Sequence, residues 1–218
     1  FVPDRKYESS FDENGNQTLY IVYNWNLESQ SFVPSSKYEN TFDENGNRTF
    51  NITYNWNTES QSFVTIYEVE YSYDENGNLT LYIGYNWNSE SQSFVPSSKN
   101  EYSFDEDGNR TLYIGYSWNA ESQSFVPISK YEFSYDENGN QTLSVSYGWN
   151  IVGSFFYERF KTISLVDEFG YVLDYEIQNW IQELGQMKPV NKTVYSIISE
   201  TETNLVREGI IYEYDTNF

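Results

Sequence analysis

FVPSSKYENTFDENGNRTFNITYNWNTESQS, residues 32–62, decides the architecture, because the same phrase returns along the whole chain. Phe32, Pro34, Ser36, Tyr38, Asn40 and Phe42 interleave with Val33, Ser35, Lys37, Glu39 and Thr41. A period of two predicts a strand, with aromatic residues on one face and charge on the other. Asp43-Glu44-Asn45-Gly46 supplies Asp for the first position of a type I turn and Gly for a left-handed residue, which reads as a hairpin with a glycine bulge. From Arg48 to Asn57 the alternation resumes, with Phe50, Ile52, Tyr54 and Trp56 against Thr49, Asn51, Thr53 and Asn55, so this run is the partner strand. Setting Phe42 opposite Arg48 places Asn40 against Phe50, Tyr38 against Ile52, Ser36 against Tyr54 and Pro34 against Trp56. The four-residue loop Thr58-Glu59-Ser60-Gln61 then puts Trp56 across from Phe63. A lateral line from Pro34 through Trp56 to Phe63 advances 29 positions against a repeat of 31, so each hairpin slips by two residues and the sheet must tilt and coil.

Working outward, Trp25, Trp56, Trp87, Trp118, Trp149 and Trp180 recur every 31 residues, as do Gly15, Gly46, Gly77, Gly108, Gly139 and Gly170. The series Phe1, Phe32, Phe63, Phe94, Phe125, Phe156, Met187 marks seven copies. Seven hairpins predict an all-β antiparallel meander of 14 strands in one tandem-repeat domain, residues 1–218. An aromatic face of this size demands cover, either by the sheet coiling so that the face packs on itself or by closure into a barrel of 14 strands. The phrase is regular over residues 1–150 and decays over 151–218, where Val166 precedes Asp167-Glu168-Phe169-Gly170 and Ser199-Glu200-Thr201-Glu202 lacks its glycine. Degenerate terminal copies are what caps look like, which favours an open sheet over the barrel. Helical spacing of Trp180, Ile181 and Leu184 offers a rival reading of 175–185, but Trp180 keeps the repeat register and is read as strand.

Lys and Arg number 12 against 33 Asp and Glu, a net charge of −21 that repels phosphate backbones and anionic lipid headgroups. Nucleic acid is therefore not an expected partner, and no apolar run approaches the roughly 20 residues that cross a bilayer as a helix. Aromatic residues make up 20% of the chain, with 22 Tyr, which lets a sheet be covered and still wetted with few aliphatics. There is no cysteine, so redox chemistry leaves the compartment open.

The Asp-Glu-Asn-Gly-Asn turns have the oxygen-rich composition of a calcium loop, yet one short turn offers too few oxygens, and backbone angles explain each residue; no metal or cofactor is expected. Asn-x-Thr sequons at Asn16, Asn47, Asn78, Asn109, Asn140 and Asn191 arise from a turn followed by a β-branched residue. The residues with the best claim to touch a ligand are the row Trp25, Trp56, Trp87, Trp118 and Trp149, two strands apart or roughly 10 Å, a spacing suited to alternate sugars of an extended glycan. Core packing on the face of Ile52 and Tyr54 is the competing role for that row. Tyr20, Tyr82 and Tyr113, on the opposite and more polar face, complete the candidate set. Histidine and cysteine are absent, and no Ser or Lys stands outside the repeat phrase in a special environment, so an enzyme is not expected.

Tyr73-Asp74-Glu75-Asn76-Gly77-Asn78 and Tyr135-Asp136-Glu137-Asn138-Gly139-Asn140, each followed by Thr, a Tyr-x-Trp-Asn or its variant and then Ser-Phe, resemble the tandem repeats of secreted Bacteroidota proteins that carry type IX secretion signals. The resemblance covers about residues 1–150 and implies a secreted or cell-surface bacterial protein. The Tyr-Asp-x-x-Gly element is also similar to the YD repeats of bacterial toxin shells and teneurins, which build spiralling β-sheets, although the unit here is longer and adds the Trp-Asn strand. The expected function is that of a non-catalytic extracellular repeat protein, an adhesin stalk or surface spacer. The alternatives are a glycan-binding module using the Tyr and Trp rows, and a fibre subunit that self-associates head to tail through open strand edges.

Overall fold

The computed structural model describes residues 4–166, 172–181, 186–201 and 204–213, with side-chain surroundings through Ser164 and at Asp174 and 176–178. All of the regular structure among them is β: β1 Arg5–Phe11, β2 Gln17–Asn26, β3 Ser31–Phe42, β4 Arg48–Asn57, β5 Ser62–Tyr73, β6 Leu79–Asn88, β7 Ser93–Phe104, β8 Arg110–Asn119, β9 Ser124–Tyr135, β10 Gln141–Asn150, β11 Phe155–Val166, β12 Val172–Ile181, β13 Gln186–Thr201 and β14 Asn204–Glu213. Strand order in the sheet equals chain order, so the expected meander of 14 strands is what forms. β1 and β14 stand at opposite ends of that order, which makes the sheet open rather than a barrel. Trp180 lies in β12, as its register in the repeat requires. The turns expected at 167–170 and, in part, at 199–202 lie outside the described residues. Two compact units divide the chain: Phe1–Glu101 with Ser117–Val126, and Tyr102–Tyr116 with Pro127–Phe218.

The turn chemistry matches the reading of the sequence. Gly46 N–H donates to the Asp43 carbonyl at 3.1 Å, closing the type I turn. Gly46 itself takes φ 82°, the left-handed conformation that glycine adopts at least cost. Asp43 Oδ1 accepts the N–H groups of Asn45 (3.0 Å) and Asn47 (2.8 Å), while Asn47 Nδ2 donates to Oδ2 at 3.1 Å. The same set recurs at Asp12, Asp74 and Asp136. Neighbouring turns touch: a Cβ on Gly46 would lie 3.5 Å from Asn16 Oδ1, and one on Gly77 3.7 Å from Asn47 Oδ1. At the other sheet margin Asn57 Oδ1 accepts from Glu59 N–H and Ser60 N–H, both at 2.9 Å, and the loop closes through Gln61 at φ 49°. Gln30, Gln92 and Gln123 occupy the same left-handed place.

Registers correct the faces assigned from sequence. Phe42 opposes Arg48 and Trp56 opposes Phe63, as expected. Between them Thr41 faces Phe50, Asn40 faces Asn51, Glu39 faces Ile52, Tyr38 faces Thr53 and Lys37 faces Tyr54. The cause is a bulge at Thr49, one step beyond the turn, which leaves that residue without a partner and moves every later pair by one. A second bulge leaves Ser35 unpaired between Ser36↔Val22 and Pro34↔Tyr23. It has counterparts at Ile66, Ser97 and Arg159. The paired bulges turn Lys37 and Glu39 onto the face of Ile52, Tyr54 and Trp56, and Tyr38 and Asn40 onto the other. The inferred slip survives: a line from Glu39 through Ile52 to Glu68 advances 29 positions, two short of the repeat.

Cover for the aromatic face is lateral. Among the described residues the only buried hydrophobic side chains are Val69 and Val145, with Asn51 the buried polar one. Every described ring pair joins neighbouring strands or positions on one strand. Backbone conformation supplies the test of the two loops. Gly46→Ala is expected to lower stability by about 1 kcal/mol, and Gln61→Gly to raise it by about 0.5 kcal/mol, because only the second relieves a left-handed side-chain residue. Urea unfolding of the two variants reads both signs.

Candidate binding surface

The tryptophan of each hairpin end packs edge-on against the phenylalanine that opens the next strand. Centroids are 5.0 Å apart at 75° for Trp25–Phe32 and for Trp56–Phe63, and 5.1 Å at 73° for Trp87–Phe94 and for Trp118–Phe125. Trp149–Phe156 repeats the arrangement at 4.8 Å and 68°. This geometry follows from the pairing Trp56↔Phe63 beside the tight loop, and it satisfies the edge-to-face preference of aromatic rings. All five tryptophans are half-buried: one ring edge is spent on phenylalanine while part of the indole faces solvent. Trp25 and Trp56 share an open depression of about 310 Å³, lined also by Pro34, Asn24, Asn26 and Thr58.

Beside the tryptophans runs a set of charged residues that an unbroken period of two puts on the other face. Lys37 Nζ lies 3.9 Å from the centroid of Tyr54 and 5.5 Å from that of Phe63, and it bonds Glu39 at 2.9 Å. Tyr54 Oη donates to the other oxygen of Glu39 at 2.5 Å. Lys130, Tyr147, Phe156 and Glu132 form the same cluster, with Lys130 4.4 Å from the Tyr147 centroid. Lys6, Glu8 and Tyr23 form a more exposed version. The Tyr54 hydroxyl bond, helped by Lys37, holds Glu39 below the ordinary glutamate range despite desolvation. Desolvation and then Glu39 push the Tyr54 phenol far up, so it is protonated and donates. The third copy breaks the pattern: where Lys6, Lys37, Lys99 and Lys130 stand, it has Glu68. Burial, and next to it the charge of Glu70, raises Glu68 above its ordinary value, and Tyr85 Oη reaches Glu70 at 3.2 Å. The signal for these clusters is present in the sequence as Lys-x-Glu recurring with a tyrosine 15 residues after the Glu, but it is readable only once the bulges are placed.

Tyr20, Tyr82 and Tyr113 lie on the face opposite the tryptophans, as expected, and each is half-buried in a ladder of rings. In the first unit Tyr20 stacks on Tyr7 (5.8 Å, 8°) and meets Tyr38 (6.0 Å). Tyr82 packs edge-on to Tyr71 at 5.7 Å and shares a hydroxyl hydrogen bond with Tyr67, whose ring crosses Gly84 where any Cβ would collide with it. In the second unit Tyr113 sits between Tyr102 (5.4 Å) and Tyr131 (5.8 Å). Asn40 and Asn51 interrupt the ladder in the second copy and hydrogen-bond each other at 2.9 Å.

The sequon asparagines are occupied locally. Asn16, Asn47, Asn78, Asn109 and Asn140 are half-buried, and each gives its Nδ2 to the aspartate that opens its own turn. Asn191 lies where side chains are not described. Among the described residues no group of three or more His, Cys, Asp or Glu could hold a metal ion, and no helix is long and apolar enough to cross a membrane.

No protein-family model and no curated protein sequence matches the chain. Among solved structures it is similar to a Bacteroides fragilis protein of unknown function, 21% identical with a TM-score of 0.50 over 58% of this chain and 90% of that one. It is also similar to DUF3836 family proteins of Bacteroides vulgatus (18% identity, TM-score 0.37, 43% of this chain and 91% of that one) and Parabacteroides distasonis (20%, 0.36, 42% and 82%). The first likeness is one of fold.

The charge break at Glu68 is directly testable. Glu68→Lys is expected to stabilise the sheet by about 0.5–1 kcal/mol at neutral pH, by restoring an ammonium over Tyr85 beside Glu70. Because the folded pKa of Glu68 is raised, its protonated form favours folding at low pH and that contribution is lost as pH rises through the raised value. The gain measured by urea unfolding therefore shrinks on acidification. Asp12, Asp43, Asp74 and Asp136 have the opposite sign: their own Asn side chains, foremost, hold them low, so their contribution is present above the ordinary aspartate value and is lost as pH falls through the lowered one.

Proposed function

We propose that this chain is a non-catalytic extracellular repeat protein of a bacterial cell surface, a stalk or spacer whose reach is set by the number of hairpins. The observation that carries this reading is that the described ring and charge contacts of each copy reach no farther than the second strand along, so copies add without a shared centre. The acidic surface keeps such an array solvated and away from anionic polymers. The likeness to Bacteroides and Parabacteroides proteins agrees with the resemblance of the phrases to secreted Bacteroidota repeats.

A second reading, glycan binding, is favoured by the depression between Trp25 and Trp56, where partly exposed indoles stand beside the Asn24 and Asn26 amides. Sugar rings stack on such indole faces and exchange hydrogen bonds with amides.

Excision of Ser62–Gln92, which joins Gln61 to Ser93 in register, is expected to leave a cooperatively unfolding sheet shorter by one hairpin. A chain that loses its far-ultraviolet β signal on this excision contradicts additive copies, and failure of antibodies to label intact cells of the native host contradicts surface display. For the second reading, neutral polysaccharide is expected to shift tryptophan fluorescence, and Trp56→Ala to weaken the response several-fold. A flat titration removes the glycan reading and leaves the spacer standing.

A further inference from the structure

Four of the turns carry Asn followed by Gly, at Asn14-Gly15, Asn45-Gly46, Asn76-Gly77 and Asn138-Gly139, while the fourth copy has Asp107-Gly108 in that place. This pair is the one most prone to ring closure through the backbone, because glycine puts no side chain in the way of its own nitrogen. All four asparagines are exposed, and among the described residues their side-chain amides make no hydrogen bond. We propose that they are latent sites of spontaneous deamidation, closed to the reaction while each turn is formed and opened by local fraying of its hairpin.

The chemistry needs water alone. The Gly46 backbone nitrogen attacks Asn45 Cγ, the bond from Cγ to the side-chain nitrogen breaks, and ammonia leaves carrying the proton the backbone gave up. The succinimide so formed is opened by water at either carbonyl, giving aspartate or isoaspartate. The turn obstructs the first step in two ways. Gly46 N–H is committed to the Asp43 carbonyl at 3.1 Å, as Gly15, Gly77 and Gly139 are to Asp12, Asp74 and Asp136 at 3.1, 3.1 and 3.0 Å. Asp43 Oδ1 also holds the chain on both sides of the Asn45 Cα–C bond, accepting from Asn45 N–H at 3.0 Å and Asn47 N–H at 2.8 Å, which opposes the rotation about that bond that brings nitrogen to Cγ. The two products fare differently. Aspartate fits, because Asp107 sits in a turn of the same pattern, with Asp107 N–H on Asp105 Oδ1 at 3.1 Å and Gly108 N–H on the Asp105 carbonyl at 3.2 Å. Isoaspartate lengthens the backbone by one carbon inside the turn, which breaks the bond from position four to position one and, at Asn45, displaces Asn47 two residues on, whose Oδ1 lies 3.7 Å from where a Cβ on Gly77 of the next copy would be.

The test incubates the whole chain at mildly alkaline pH, folded and in urea, and maps products at the four sites by peptide mass spectrometry. Deamidation is expected to be about tenfold or more slower in the folded chain at every site, since reaction proceeds only from the opened fraction. Equal rates in the two states overturn the proposal. Asp43→Ala removes the carboxylate that pins Asn45 and leaves the aspartate of every other turn in place, so Asn45 is expected to accelerate far more than the other three sites. No acceleration at Asn45 overturns gating by the turn, and equal acceleration at Asn14, Asn76 and Asn138 overturns it too, by assigning the protection to the sheet as a whole.

Discussion

Shielding of each side chain by its lateral neighbours is the constraint on which the rest of this structure depends. A conventional domain hides apolar residues between layers. Here the described residues offer only Val69 and Val145 as buried hydrophobics, so the aromatic rings must cover one another along the plane of the sheet. A cross-strand pair contributes about 0.2–1 kcal/mol, and an aromatic pair about 0.5–1.5 kcal/mol beyond its area. Contributions of that size hold a sheet only when nearly every position makes one. This explains why the phrase tolerates so little drift over its regular copies, and why tyrosine is preferred to leucine: its ring gives area to both lateral neighbours, and its hydroxyl finds a partner in Glu39 or in another tyrosine.

The same constraint gives the charged residues their place. On the tryptophan face Lys37 lays its stem and ammonium over Tyr54 and near Phe63, so the lysine covers two rings while its charge meets Glu39. A lysine that covers apolar surface with its methylenes and keeps its head wet suits a surface whose described rings stay half-buried. The two bulges in each copy put it there. The Ser35 and Thr49 bulges flip half of a strand, so that each face carries alternating stripes of rings and hydrophilic groups instead of one greasy side and one polar side.

How much of this was legible in the sequence divides along the range of the interactions. The Asp-Glu-Asn-Gly turn and the pairing of Trp56 with Phe63 are local: five or six consecutive residues fix them, and both were readable from turn chemistry and loop length. The two-residue slip was readable as well, since the Thr49 and Ile66 bulges shift successive pairings by one residue each and so cancel in the difference. Side-chain faces were not. A bulge adds one unpaired residue, and the period of two that it interrupts looks unbroken in the letters Ser35-Ser36-Lys37. Pro34 was the available clue, because proline inside a paired strand points to a bulge beside it. The opposite faces of Tyr20, Tyr82 and Tyr113 and of the tryptophans were legible, because an even-numbered strand such as β2 carries no bulge between Tyr20 and Trp25. The Lys-Tyr-Glu clusters escaped for the converse reason: they lie downstream of a bulge on one strand and opposite an unbulged run on the next.

The two-residue slip has a metric consequence. Moving from one tryptophan to its successor crosses two strand spacings and also travels two residues along the strand, so equivalent indoles are offset obliquely and stand about 12 Å apart, where a straight ladder would put them about 10 Å apart. A polymer lying perpendicular to the strands drifts off that row after a single hairpin. Only a chain inclined by about 35°, with its own repeat commensurate with the longer interval, keeps meeting the same chemistry.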